Sequence, residues 1–191
     1  MKKLPQFLIF IIIIFLPIFR ILVVMYQNQS WLQLNAWLPL LSWLISCMAG
    51  FLALQMDQIL DIFITNPDSN LAKAVKNYLK QKHISYGLNL LENNKHLQPR
   101  LSFRSVTFQI IWIMLIIFTF TSTVSSFGKG FVMGLGTRLL IEQWGFYFSN
   151  RNLLKNWLFW QIKREINDQE LKWYLIIVTF LLIIMDITIK I

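Results

Sequence analysis

Residues 127–143 read FGKGFVMGLGTRLLIEQ, and this stretch combines two features that shape the fold. Its glycines permit one helix to pack closely against another. Its charges, Arg138 and Glu142, lie one helical turn apart in an apolar segment. A charge in the middle of a bilayer is costly and by default marks a functional site. The stretch therefore predicts a closely packed helix that carries a polar site.

The composition of the whole chain is strongly apolar. Of its 191 residues, 56% are hydrophobic and 14% are charged, whereas soluble globular chains have about 25% charged residues. Long continuous apolar runs occur as well, such as FLIFIIIIFLPIF at 7–19. We therefore predict an all-α protein: a polytopic transmembrane helical bundle that forms a single integral membrane domain over residues 1–191.

Five segments come close to the roughly 20 residues that a bilayer-crossing helix needs. They lie at about 5–27, 35–60, 104–127, 131–149 and 172–190. The first follows Lys2 and Lys3 as a signal peptide would, but its apolar run is too long and lacks a cleavage site, so we predict an uncleaved span. The fourth contains glycines and two charges, and a re-entrant or tilted helix is the alternative there.

The charges of the loops predict the orientation, because cytoplasmic loops carry an excess of lysine and arginine. The loops at about 61–103 and 150–172 are basic, whereas the first loop has no charge and the third has only Lys129. This alternation fits five spans with the N-terminus in the cytoplasm and the C-terminus outside. We therefore predict a multi-pass protein of the cell inner membrane.

Two loop segments have the pattern of amphipathic helices. NPDSNLAKAVKNYLKQKH at 66–83, with a cap at Asp68, Ser69 or Asn70, and ISYGLNLLENNKHL at 84–97 predict a cytoplasmic helical hairpin between spans 2 and 3. NLLKNWLFWQIKREI at 152–166 predicts an interfacial helix. The expected partners of their cations are the bilayer and anionic lipid headgroups, and we predict no nucleic-acid partner.

Ionisable residues in or beside the predicted spans form two groups. Asp57 and Asp61 share one face of the second span, Arg104 opens the third, and Arg138 and Glu142 share a face of the fourth. These three acids and two bases are predicted to converge in the inner half of the membrane, with ion pairs among Asp57, Arg104, Arg138 and Glu142. A second predicted ion pair joins Arg20 and Asp186, which lie at similar depth, and the alternative is that each extends separately toward the interface.

The paired acids suggest two kinds of chemistry. Asp57, Asp61 and Glu142 are candidate catalytic residues, and hard oxygen ligands of this type suit Mg²⁺. Arg104 and Arg138, however, already supply the positive charge that a metal would bring, and no histidine or cysteine lies near them. We therefore predict no metal and no cofactor, and we consider Arg104 and Arg138 as candidate ligand- or anion-binding residues.

Three motifs resemble those of YdjM-like inner-membrane proteins, a family of metal-dependent hydrolases. These are LALQMDQILD at 52–61, LSFRSVTFQ at 101–109 and GLGTRLLIEQ at 134–143, in the order and at the helix ends that the family shows. The family has Asp-x-Asp-His, then His-Ser or His-Arg, then His-Leu-Leu-x-Asp. The resemblance implies a membrane metal site built from these motifs.

The chain departs from that pattern at every histidine. Gln55 replaces the first acid of the first motif, Asp57 matches the second, and Gln58 replaces the histidine. Arg104 and Arg138 replace the histidines of the other two motifs, and Glu142 replaces the aspartate. Arginine stays protonated and offers no lone pair to a metal. The resemblance thus implies a degenerate member in which guanidinium groups stand where the cation would be.

Three functions follow as hypotheses. The first is an integral membrane protein with a buried Asp/Glu/Arg network, related to membrane hydrolases but catalytically degenerate, so that enzyme activity is uncertain and the balance is against it. The second is an active membrane-embedded hydrolase that uses Asp57, Asp61 and Glu142 with a divalent metal. The third is a transporter or channel subunit. A closed charge network favours the first, an open pocket with unpaired carboxylates the second, and a continuous polar path the third.

Overall fold

The computed structural model describes residues 18, 19, 22, 23, 26, 34–94, 97, 98, 101–122 and 125–188. Seven helices are complete within this part of the chain, and it contains no strand. They are α1 (Leu34–Leu60), α2 (Asn70–Lys80), α3 (Ile84–Asn93), α4 (Val106–Thr121), α5 (Ser126–Ser149), α6 (Arg151–Phe159) and α7 (Asp168–Thr188). A π-helical turn, Asp61–Thr65, extends α1. The predicted all-α class is therefore confirmed.

Helix α5 lies at the centre of the main core. Its buried residues pack against Leu54 of α1, Trp112 and Ile116 of α4, and Val178 and Leu182 of α7. The most extensive contact between helices joins α1 and α5. A Cβ atom built on Gly134 would overlap the main chain of Cys47, and one built on Gly50 would overlap that of Phe131. The glycines therefore allow the two backbones to touch.

Two smaller cores attach the remaining helices. The predicted hairpin forms as α2 and α3, and Ile62, Ala72, Val75 and Leu91 hold it against the π-helical turn. Ser69, one of the three predicted caps, accepts a hydrogen bond from the Ala72 N–H at 3.1 Å. Leucines of α6 and α7 form the other core, at Leu154, Leu158, Leu171 and Leu175.

Several described helices begin or end at other residues than the predicted segments do. The helix in the third predicted span ends at Thr121 rather than at 127, and α5 begins at Ser126 rather than at 131. The helix predicted at 152–166 ends at Phe159. The Ile162 N–H bonds the Phe159 carbonyl at 2.8 Å, and this turn lets α7 return along α6 to form the leucine core. The predicted span at 5–27 lies almost entirely outside the described residues.

One described segment, Trp37–Thr65, is long and apolar enough to cross a membrane, and Val106–Thr121 is an apolar helix of only 16 residues. Large apolar side chains are exposed along three helices. They include Ile45, Met48 and Leu52 of α1, Ile111, Met114 and Phe118 of α4, and Ile177, Phe180 and Ile184 of α7. Exposed apolar surface on this scale is typical of a protein that contacts lipid or another protein.

Candidate functional site: a buried charge tetrad and a neighbouring carboxylate

Four charged side chains meet where α1, the start of α4 and α5 come together, and we call Asp57, Arg104, Arg138 and Glu142 the charge tetrad. Arg104 lies in the turn that precedes α4, two residues before the helix begins. Arg104 is 4% exposed. The Arg104 Nε donates to Glu142 Oε2 at 2.7 Å, and the Arg104 Nη1 lies 3.6 Å from Asp57 Oδ2. One guanidinium group thus faces carboxylates from two helices.

The Asp57 carboxylate also holds the main chain of the turn before α4. Its Oδ1 accepts a hydrogen bond from the Ser102 N–H at 3.2 Å, and its Oδ2 accepts one from the Phe103 N–H at 2.9 Å. The side chain of Ser105 then caps α4 by accepting a hydrogen bond from the Phe108 N–H. Asp57 therefore fixes where α4 begins relative to α1, in addition to facing Arg104.

Arg138 completes the tetrad from within α5. Its Nε donates to Glu142 Oε1 at 3.1 Å, so that both oxygens of Glu142 accept from guanidinium groups. The side chain of Arg138 is 16% exposed, and its Cζ lies 4.8 Å from the centre of the Phe51 ring. The Cζ of Arg104 lies 5.5 Å from a Trp157 ring. Aromatic faces stabilise guanidinium groups at such distances.

Asp61 lies apart from the tetrad. Its carboxylate accepts hydrogen bonds from two amides: the Asn66 Nδ2 donates to Oδ1 at 2.7 Å, and the Gln98 Nε2 donates to Oδ2 at 2.9 Å. The π-helical turn that begins at Asp61 brings Asn66 back to it, since the Asn66 N–H also bonds the Asp61 carbonyl. π-Helical turns occur frequently at functional sites. Asp57 and Asp61 are both buried, as two residues on one helical face can be, but their partners differ.

The structure therefore joins four of the five predicted inner residues and gives the fifth a separate environment. Arg20 lies outside the described residues, so its predicted pair with Asp186 does too; Asp186 itself is buried on α7. Among the described residues, no three histidine, cysteine, aspartate or glutamate side chains are grouped as ligands of a metal ion. Both guanidinium groups of the tetrad face Glu142.

The sequence did not indicate several contributors to these sites. Trp157 and Phe51 had no signal that distinguished them from ordinary interfacial or core aromatics. Gln98 follows a polar stretch and carries no motif, and its partner Asp61 lies 37 residues earlier in the chain. The Asn66-Pro67 pair after Asp61 was a usable signal for a turn that would return an amide to that carboxylate.

No family model, curated protein or solved structure matches this chain.

Proposed function

We propose that the chain is a multi-spanning integral membrane protein that acts by binding, and that its charge tetrad is structural and not catalytic. The observation that carries this proposal is the internal neutrality of the tetrad. Two guanidinium groups meet two carboxylates, and both oxygens of Glu142 accept from arginine. A general base would need a carboxylate with a free lone pair directed at a substrate. A metal ligand would need one directed at the metal ion.

The surroundings of the tetrad support the same proposal over transport. Leu139 and Leu140, which follow Arg138 on α5, and Leu54, three residues before Asp57 on α1, belong to the apolar main core. A conducting path would require polar groups or water on both sides. The small cavity that borders Arg104 and Glu142 is lined otherwise mainly by leucine and aromatic residues. The family relationship and the degenerate active site remain part of the proposal, and they rest on the three quoted motifs.

The exposed apolar faces of α1, α4 and α7 support a placement across the bilayer with about five spans. On the basic side, a pocket of about 640 Å³ next to α6 is lined by Lys155, Lys163, Arg164 and Glu165 together with Phe159 and Trp160. Lys155 pairs with Asp168, and Arg164 pairs with Glu170. Within the described part of the chain, Lys163 is the cation of this lining that forms no ion pair. Cations beside aromatic rings are typical of a membrane interface, where each lysine or arginine attracts anionic lipid by about 1 kcal/mol. Anionic headgroups are therefore the proposed partners of this surface.

A double-mutant cycle tests the structural role of the tetrad. Arg138→Met leaves one guanidinium for two carboxylates, and Glu142→Gln leaves one carboxylate for two guanidinium groups, so each change alone unbalances the buried charge. The double variant restores balance through Arg104 and Asp57. We expect it to be more stable than the sum of the single effects by about 0.5–3 kcal/mol, measured by unfolding in detergent.

Metal analysis of the purified protein provides the independent control. A structural tetrad requires no divalent ion, and the double variant should have the same metal content as the wild type. Strictly additive single effects would overturn the structural role of the tetrad. One divalent ion per chain that is lost on Asp57→Asn would favour the hydrolase instead.

A further inference from the structure

Asp61 is a buried carboxylate outside the tetrad, and among the described residues no cation pairs with it. Two carboxylates and two guanidinium groups balance one another in the tetrad, whereas the partners of Asp61 are neutral amides. Within the described residues, no lysine or arginine forms an ion pair with it. Asp61 is nevertheless 6% exposed. Buried charges are normally paired, so this arrangement suggests that a cation comes from a ligand.

A pocket of about 490 Å³ opens at this carboxylate. Its described lining is rich in oxygen acceptors, at Asp61, Asn66, Ser69, Asn70 and Gln98, and Leu71 and Leu97 supply the apolar part. The volume falls within the range of small-molecule sites and far exceeds that of a bare metal ion. The absence of a lysine or arginine among these lining residues fits a cationic group on the ligand.

Gln98 offers a second, independent indication of a ligand. It is 2% exposed, and its Oε1 has no hydrogen-bond partner. Exchanging the positions of Oε1 and Nε2 would not give Oε1 a donor, because Nε2 donates both to Asp61 Oδ2 at 2.9 Å and to the Gln58 carbonyl at 3.3 Å. A buried acceptor without a donor is unfavourable. Gln98 and Asp61 both line the pocket, and a ligand that carries N–H groups would satisfy them together once Gln98 shifts so that its buried Oε1 meets the pocket.

The start of α2 borders the same pocket and offers hydrogen-bond donors, whereas Asp61 and Gln98 offer acceptors. Ser69, Asn70 and Leu71 belong to its cap and first turn, and the Ser69 side chain is already occupied by the Ala72 N–H. The first N–H groups of a helix lack partners within the helix and carry partial positive charge. The pocket thus has an acceptor side at Asp61 and Gln98 and a donor side at α2, which suits a ligand with a cation near an anion.

We propose that this pocket binds an ethanolamine phosphate group, with the primary ammonium at Asp61 and Gln98 and the phosphate at the start of α2. Asp61 lies four residues before the end of the apolar segment Trp37–Thr65, so the membrane placement given under Proposed function puts the pocket near the level of lipid headgroups; the inference rests on it in that respect. The group is therefore either the headgroup of phosphatidylethanolamine or free phosphoethanolamine, and both present the same chemistry.

The lining also distinguishes a primary from a quaternary ammonium. Quaternary ammonium groups have no N–H donor and are recognised by aromatic faces. None of the described lining residues is aromatic. Choline should therefore bind weakly, because it cannot donate to Gln98 Oε1 and meets no aromatic ring among the described lining residues.

Thermal unfolding of the full chain in lipid nanodiscs tests this inference. The first comparison places the wild type in phosphatidylcholine nanodiscs with and without added phosphatidylethanolamine. The second titrates the phosphatidylcholine nanodiscs with soluble phosphoethanolamine or with phosphocholine. We expect a saturable rise of the unfolding temperature with either ethanolamine compound and none with phosphocholine. A response to the lipid alone identifies the membrane source, and a response to the soluble compound alone identifies the free metabolite.

Asp61→Asn should weaken the ethanolamine response by about tenfold or more, because it removes a charge-assisted hydrogen bond. Asp168→Asn is the matched control, since it removes the same charge from a half-exposed position at the start of α7, which is not part of the described pocket lining. Equal responses to ethanolamine and choline compounds in the wild type, or no response to either, would overturn the inference even if Asp61→Asn failed to fold. Because neither result involves Arg138, this test and the double-mutant cycle can fail independently.

Discussion

The Arg104 guanidinium lies between carboxylates from two different helices, and this position determines what the tetrad can do. A residue with five donors and a fixed planar shape can serve Asp57 and Glu142 together, whereas a lysine offers a single point charge. The resemblance to metal-dependent hydrolases placed a histidine at this position and at Arg138. A guanidinium group there supplies positive charge and offers no lone pair to a metal.

Removal of Arg138 gives the most direct test at the scale of one residue. Arg138→Ala leaves Glu142 and Asp57 to share Arg104, and we expect a loss of about 3–5 kcal/mol of unfolding free energy, toward the lower end because the side chain is partly exposed. Arg138→Lys should lose less, since it keeps the charge. Chemical unfolding in detergent measures both.

Arg151→Ala is the matched control for that series. Arg151 pairs with Asp168 at 3.2 Å, but both side chains are about half exposed. Surface pairs contribute about 0–1 kcal/mol, so this substitution should have little effect. If Arg138→Ala were as mild as Arg151→Ala, the tetrad would not be a structural element.

Asp168 gives a prediction that depends on pH. Hydrogen bonds from Lys155 and Arg151 lower the pKa of its carboxyl below the usual value of 3.8. The folded form therefore binds this proton less readily than the unfolded form does. Its stabilising contribution is present above the unfolded pKa and is lost as the pH falls through the lower, folded pKa.

We expect amide exchange in the first turn of α7 to accelerate at acidic pH for this reason, after correction for the intrinsic rate. Asp168→Asn should show the faster exchange already at neutral pH, and its profile should be flatter. The effect should be small and should weaken with salt, because the pair is exposed. Identical pH profiles for the wild type and Asp168→Asn would contradict this assignment.

At the scale of elements, the α1–α5 contact depends on glycine more than on side-chain packing. Gly134→Ala would place a methyl group into the main-chain carbonyl of Cys47, which can yield only if the helices separate. We expect the free energy of unfolding to fall by several kcal/mol. Overpacking a core typically lowers it by about 1–3 kcal/mol, and here the methyl group would meet main-chain atoms, which cannot move aside as a side chain can. Unfolding in detergent measures the loss.

Gly87→Ala is the control for a buried helical glycine. A Cβ there would lie 3.7 Å from Leu79 Cδ2 and from Val75 Cγ1, which are ordinary van der Waals distances. Alanine also has the better helix propensity, so this variant should be as stable as the wild type or more stable. Similar losses for Gly87→Ala and Gly134→Ala would mean that the close approach of α1 and α5 does not limit stability.

The elements that the sequence predicted well are those with a strong local signal. Ser69 and the apolar spacing of residues 71–79 were sufficient to predict α2, and the composition of 35–60 predicted α1. The end of α6 at Phe159 could not be predicted in this way, because it depends on leucines of α7 that come later in the chain. Likewise the spacing of Asp57 and Asp61 indicated one shared face, but only the distant Gln98 gives Asp61 its separate environment.

At the scale of the whole molecule, the placement of the charges bears on orientation. The tetrad, the pocket at Asp61 and the basic hairpin all lie toward the end of α1 that carries Asp57 and Asp61. The positive-inside rule places the basic hairpin in the cytoplasm. The proposed headgroup pocket, at the same end of α1, then faces the cytoplasmic leaflet. The five-span topology can therefore be tested without reference to any ligand.

Reporter fusions and cysteine labelling test that topology in intact cells. A C-terminal alkaline phosphatase should be active, because the proposed C-terminus is outside, and a C-terminal green fluorescent protein should be dark. Cys47 is the only native cysteine and is buried in α1, so Cys47→Ala provides a background for new cysteines. In that background Ser85→Cys, in the hairpin, should resist an impermeant maleimide until the cells are opened. Labelling of Ser85→Cys in intact cells, or a fluorescent C-terminal fusion, would place the basic hairpin or the C-terminus on the opposite side and overturn the five-span arrangement.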